Sequence, residues 1–254
     1  MYFLARLIPT LNAIFALLVI ELAIRQPARF VDLVMLGFVG TVVGMIIMLH
    51  RATNAERLTL IGLGGMFFLG TSFLEFFLSA GWLRHVIAGL TAVTLWVFLE
   101  EAYRYIYQPE RYHRHALDHL GALLGVAAIT SAMAGIFGLR IFLTVRLIVL
   151  LPATFFLVAI TTAAVLATHP MPIKKLIVAT VFFGIIVTEV AWAVLYLPTH
   201  YWVNALFVAI PFYVALHLVR HEISGTLTRR HIRRYAVVAL TAIIIVASTA
   251  QWVV

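Results

Sequence analysis

The chain has 254 residues, of which 64% are hydrophobic and 11% charged, with a net charge of +8 and no cysteine. Soluble domains hold about 45–50% apolar and about 25% charged residues, so a water-soluble core is excluded and lipid must solvate most of this surface. Disulfides, thiol catalysis, iron–sulfur clusters and thiolate metal sites are excluded with the cysteines. In a soluble protein the positive balance would point to nucleic acid. Here it points to loops lying beside anionic lipid headgroups, and no nucleic-acid partner is expected.

A helix needs about 20 mostly apolar residues to cross a bilayer. Nine stretches qualify, in chain order 4–25, 30–50, 57–79, 83–107, 115–137, 140–167, 173–196, 201–220 and 233–254. The fold class read from them is all-α: a polytopic transmembrane bundle of about nine helices forming one domain over 1–254. The first helix follows Met1–Arg6 directly and lacks a small-x-small cleavage site, so it reads as an uncleaved signal anchor. The second carries Gly40-x-x-x-Gly44 and the fifth Gly121-x-x-x-Gly125. Small residues at this spacing let helix backbones approach in lipid, within the chain or as a homo-oligomer seam. Pro152 and Pro211 fall inside the sixth and eighth helices, where each removes a backbone hydrogen bond and favours a kink.

The gaps are short and alternate in charge. Thirteen Arg and Lys residues fall on the side of the N-terminus, among them Arg51, Arg57, Arg111, Arg114, Lys174, Lys175 and the run Arg229, Arg230, Arg233 and Arg234. Four fall on the other side (Arg25, Arg29, Arg84 and Arg140), while Arg146 reads as lying inside the sixth helix. The asymmetry predicts a cytoplasmic N-terminus and an external C-terminus in the cytoplasmic (inner) membrane. Two aromatic belts agree: Tyr2, Tyr103, Tyr105, Tyr107, Tyr112 and Tyr235 at the inner interface, and Trp82, Trp192, Tyr196, Tyr201, Trp202 and Trp252 at the outer one.

Ionisable side chains inside a bilayer are costly and mark functional candidates. Glu21, Glu75, Arg146 and Glu189, from four helices, share the outer level, about 6–10 Å from their helix ends at ~1.5 Å of rise per residue. They read as a paired structural cluster or as an outward-facing vestibule for a cation or proton. At the inner level Glu100 and Glu101 lie one turn before Arg104, spaced for a local salt bridge. Asp118 sits beside the His115/His119 pair, and His217/His221 repeats the i, i+4 spacing near the end of the eighth helix. Imidazoles and carboxylates brought to one depth by several helices form the donor set for zinc or iron, so His115, His119, His217 and His221 are the candidate ligands.

The stretch from Trp82 to Gly125, with Leu99-Glu100-Glu101-x-Tyr103-Arg104-Tyr105, Pro109-Glu110-x-Tyr112 and Ala116-Leu117-Asp118, resembles uncharacterised polytopic membrane proteins of bacteria. The resemblance implies no activity and transfers no catalytic residue.

Between the two charged rims, the mid-depth polar residues are Thr41, Thr91, Thr94, Thr130, Ser131 and Thr154. Ion-coupled transporters place charged or unwound polar groups near the midplane, a requirement this waist meets poorly. The expected function is therefore a structural or accessory membrane subunit without catalysis of its own, in contact with lipid and a membrane-protein partner or a second copy. The alternatives are a transporter or flippase for a small or lipidic solute, and a metal-dependent enzyme acting on lipid at the cytoplasmic face through Glu100 or Asp118 as base.

Overall fold

The computed structural model describes residues 2–113, 116–168 and 171–250, with side chains from Ala5 onward. Nine α-helices make up nearly all of it: α1 (Tyr2–Arg25), α2 (Phe30–Met48), α3 (Asn54–Phe77), α4 (Gly81–Tyr107), α5 (Ala116–Leu143), α6 (Leu147–Leu166), α7 (Ile173–Val194), α8 (Tyr201–Ile223) and α9 (Arg229–Thr249). Short 3₁₀ turns at Pro27–Arg29 and Pro109–Arg111 follow α1 and α4, and the described residues contain no strand. Every helix is long and apolar enough to cross a membrane. Arg114, His115, His169, Pro170 and Trp252 lie outside the described residues, as do the last positions of the ninth expected span.

One boundary departs from expectation. The sequence reading ends the fifth helix at 137 and places Arg146 within the sixth; instead α5 runs on to Leu143, and Arg146 is the N-cap of α6. Gly138 does not stop α5, because glycine costs a helix interior only about 1 kcal/mol relative to alanine. The turn comes at Thr144, whose φ is +50°, a conformation uncommon for a β-branched residue. Arg146 therefore belongs to a connection and is exposed.

The chain divides into two compact units, residues 1–128 and 129–254. In the first, α1 packs on α2 and α4, and α3 packs on α2, α4 and α1. The α3 face bearing Leu60, Leu63, Gly64, Phe67, Phe68, Thr71, Leu74 and Glu75 is buried, a stripe at the 3–4-residue spacing of one helix side. Glycines set the distances. The Cβ position of Gly37 lies against Val19 of α1 and Phe68 of α3, that of Gly40 against Phe15, and that of Gly44 2.8 Å from Asn12 Nδ2. The Gly40/Gly44 face is thus where α1 packs. On α3, Gly70 lies so close to α5 that its Cβ position is 2.6 Å from the Ala128 carbonyl oxygen. Gly121 and Gly125 of α5 are both buried.

The α2–α3 hairpin is held by polar contacts that its sequence supplies locally. Thr53 and Glu56 form a capping box at the start of α3, which satisfies two backbone N–H groups reciprocally. Arg57 donates from Nε to the Leu49 carbonyl at 2.8 Å and from Nη2 to the His50 carbonyl, so one guanidinium caps the end of α2.

In the second unit, α6 packs on α7, α7 on α8 and α8 on α9. Phe155 of α6 fills the space over Gly184 of α7, and Phe183 of α7 meets Phe212 of α8 edge-on at 5.9 Å. The buried Thr154 and Thr161 hydroxyls donate to the carbonyls of Leu150 and Leu157, one turn back on the same helix. Gly225, at φ +65°, ends α8: its N–H bonds the Glu222 carbonyl and the Thr226 N–H bonds the His221 carbonyl. This 5→2 and 6→1 pair closes the helix with a left-handed residue that glycine adopts without a Cβ clash. None of the described residues of α9 is buried.

Candidate functional site

The chemistry of the first unit gathers at its two ends. At the end reached by the C-terminus of α3, Glu21 lies near the end of α1 and His85 one turn into α4. These helices pack antiparallel, so the two side chains meet at one level. His85 Nδ1 is 2.8 Å from Glu21 Oε1 and 2.9 Å from Oε2, a forked contact between residues 64 positions apart. It is an ion pair when the imidazole carries its second proton. The pair lies at the surface of the unit, with side-chain exposures of 50% for His85 and 25% for Glu21.

Glu75, on the buried face of α3, is 1% exposed. Neither of its carboxylate oxygens has a hydrogen-bond partner among the described residues, and the charge of Glu21 acts on it through space. An ionised carboxylate buried without hydrogen bonds or a counter-ion is disfavoured by several kcal/mol. Arg84 is near in sequence but is occupied elsewhere: its Nε donates to the Leu78 carbonyl at 2.6 Å. Glu56 shows the opposite arrangement. Its Oε2 accepts from the Thr53 N–H at 2.8 Å and the Thr53 hydroxyl at 2.9 Å, and its Oε1 accepts from the Tyr105 hydroxyl at 2.9 Å.

At the opposite end, Arg104 bonds Glu101 at 2.7 Å and Glu100 at 3.4 Å, the local bridge that the spacing predicts. The Tyr107 hydroxyl donates to the Met48 carbonyl at 2.8 Å and lies 3.0 Å from His50 Nδ1, tying α4 to the end of α2. In the connection after α4, the Tyr112 hydroxyl accepts the Leu117 N–H at 3.1 Å. Burial pushes the Tyr112 phenol above its ordinary value; the Leu117 bond opposes that shift, and the nearby Asp118 and Glu101 charges reinforce it. Asp118 is half-buried and His119 exposed.

In the second unit, histidines and tyrosines stack between α8 and α9. His217 lies parallel to Tyr235 at 5.5 Å and also meets Tyr213 at 4.4 Å. His221 stacks on His231 at 4.3 Å. Both ring nitrogens of His221 are engaged, Nδ1 with the Thr226 hydroxyl at 2.9 Å and Nε2 with the Tyr235 hydroxyl at 3.3 Å.

Of the four expected metal ligands, His115 lies outside the described residues, His119 belongs to the first unit, and His217 and His221 belong to the second. Among the described residues no group of three His, Asp or Glu side chains is placed to hold a metal ion. Of the expected outer-level cluster, Glu21 and Glu75 both belong to the first unit. Arg146 and Glu189 are exposed in the second, where no ion pair joins them among the described residues.

Two participants escaped the sequence reading. His85 gave its signal in depth, four residues into α4 and level with Glu21. Asn12 was the other: buried at mid-helix in α1, it donates from Nδ2 to the Thr41 carbonyl of α2 at 3.0 Å. An uncharged amide has no place in a count of charges, though it is the most polar group at that depth in α1.

Residues 77–249 match the family model described as a protein of unknown function, DUF5656. The match starts just past Glu75, so it takes in His85 and the end of α4 but neither Glu21 nor Glu75. No curated protein and no solved structure matches the chain.

Proposed function

Since the chain belongs to this family of unknown function, we propose from its own residues that it is a multi-pass protein of the bacterial cytoplasmic membrane serving as a structural or accessory subunit. In this reading the N-terminus is cytoplasmic, the C-terminus external, and the protein works by binding a membrane-protein partner rather than by catalysis. The observation that carries it is α9. None of its described residues is buried, and Val237, Leu240, Ile244 and Ile245 are 56–62% exposed. Lipid covers such a face adequately, but van der Waals packing against another helix adds dispersion contacts that disordered acyl chains supply less well.

The charge asymmetry supports the orientation. With Arg146 reassigned to the α5–α6 connection, five basic residues stand on the external side against thirteen on the cytoplasmic side. The absence of cysteine makes this directly testable. Single cysteines at Thr53 and Thr226 are expected to react with a membrane-impermeant maleimide only after the membrane is opened, and cysteines at Gln26 and Ala80 in intact cells. The reverse pattern refutes the orientation. For the partner, tagged protein extracted in mild detergent is expected to elute with a second membrane protein in fixed ratio, lost when Leu240 and Ile244 are changed to Ala. A lone chain of unchanged mass in both samples refutes the accessory reading.

A carrier for a lipidic solute is the second reading, favoured by a wholly apolar cavity of about 240 Å³ between α7 and α8 beside Pro211, lined by Phe183, Val187 and Leu218 among others. Its dimensions and chemistry suit part of an acyl chain. Transbilayer movement of a fluorescent lipid in reconstituted vesicles tests it.

A further inference from the structure

Glu75 presents a physical problem that neither functional reading resolves. It is a carboxyl group 1% exposed, without a hydrogen bond on either oxygen among the described residues, at the end of a unit where a second carboxylate and an imidazole already make contact at 2.8 Å. A residue that served packing alone would be served better by Leu or Met, since a buried polar group without a partner costs about 1–3 kcal/mol even when uncharged. An ionised group there needs a counter-ion. The charged groups at this end of the unit, on elements packed against α3, are Glu21 and Arg25 of α1, Asp32 of α2, and Arg84 and His85 of α4. His85 faces Glu21, Arg84 Nε faces the Leu78 carbonyl, and no ion pair to Glu75 exists among the described residues. In this unit α5 carries only Asp118 and His119 as described ionisable groups, at the opposite end. A metal cation would require converging oxygen or nitrogen ligands, and no such group is present among the described residues. A proton requires only the carboxylate.

We propose that Glu75, Glu21 and His85 form a proton-binding site, in which Glu75 stores one proton and the surface-exposed Glu21–His85 pair exchanges it with water. Loading forms one O–H bond on the Glu75 carboxylate and breaks one bond to hydrogen in the Glu21–His85 pair. The pair then regains its proton from water, so one proton and no other atom is transferred. His85 is the entry group because half its side chain is exposed and its Nδ1 is already on Glu21. The site needs neither functional reading: an accessory subunit would use it to sense the acidity of one face, a carrier to couple to it.

Dicyclohexylcarbodiimide, an apolar reagent that attacks protonated carboxyl groups in apolar surroundings, tests the site on the full chain in lipid nanodiscs, with adducts mapped by mass spectrometry. Glu75 is expected to label faster than the exposed Glu110 and Asp32. Its rate should fall roughly tenfold for each pH unit above the midpoint, following the protonated fraction. Glu75→Gln removes the adduct, and His85→Gln leaves it while slowing the loss of reactivity after a rapid jump to alkaline pH. The wild-type protein alone decides the main question, so a variant that fails to fold leaves the test standing. Absence of a Glu75 adduct at every pH in folded protein overturns the proposal, as does labelling independent of pH. Protection by sodium or calcium at fixed pH also overturns it, because it assigns the site to a metal cation.

Discussion

Replacing Gly70 with alanine adds a single methyl group where α3 lies against the backbone of α5. The new Cβ would lie 2.6 Å from the Ala128 carbonyl oxygen and 3.3 Å from its carbon. Ordinary contact begins at 3.4 Å, so α3 and α5 must separate locally by about 0.8 Å. The obstacle is backbone and cannot rotate away as a side-chain end would. Overpacking of this kind costs about 1–3 kcal/mol, against which alanine recovers up to about 1 kcal/mol of helix propensity. The net loss is roughly 0–2 kcal/mol, or up to about 8 °C in apparent melting temperature for a chain of this size, and the whole of the overpacking cost shows against a glycine-to-alanine change in open space. Gly89→Ala is the matched control, since nothing lies within 4 Å of its Cβ position on α4; it is expected to be neutral or slightly stabilising. Melting followed by intrinsic tryptophan fluorescence in one detergent compares the two. A Gly70→Ala protein as stable as Gly89→Ala would refute the α3–α5 contact, and with it the argument that glycine is there to admit a carbonyl group.

Asn12→Ala removes the only described side-chain bond from α1 to the backbone of α2 and should cost about 0.5–1.5 kcal/mol, read as a lower midpoint in denaturing-detergent titration. Arg57→Gln uncaps the Leu49 and His50 carbonyls and should cost about 1–2 kcal/mol. Arg51→Gln, whose contact among the described residues is an exposed cation–π approach to Tyr107 at 5.6 Å, should change stability by under about 1 kcal/mol in the same titration. Plasma mass spectrometry on protein purified without chelator should find zinc and iron well below one per chain. His217→Ala/His221→Ala should not alter that content, because His221 already spends both ring nitrogens on Thr226 and Tyr235. Near-stoichiometric metal lost in the double variant would restore the metalloenzyme reading.

The helices and the confinement of charge to their ends were legible in the sequence because both follow from local quantities. A run of about 20 apolar residues is long enough to cross a bilayer whatever its neighbours are, and the position of an ionisable group follows from its distance along its own helix. The Arg104 bridge was legible for the same reason, its partners lying three and four residues away. Only the tertiary structure decided which helices touch. In water an apolar stripe marks the face that must be buried, but in lipid every apolar face is already solvated, so the sequence of α1 does not say that α2 and α4 will flank it. That is why Glu21 could be assigned a depth but not His85 as its partner, and why the spacing of Gly40 and Gly44, which favours an internal seam, does not name the helix that fills it, whereas the packed helices place Phe15 and Asn12 of α1 against them. Glu75 combines the two. Its place in a helix was written in the chain, while its burial, with no partner among the described residues, is a property of the packed helices alone.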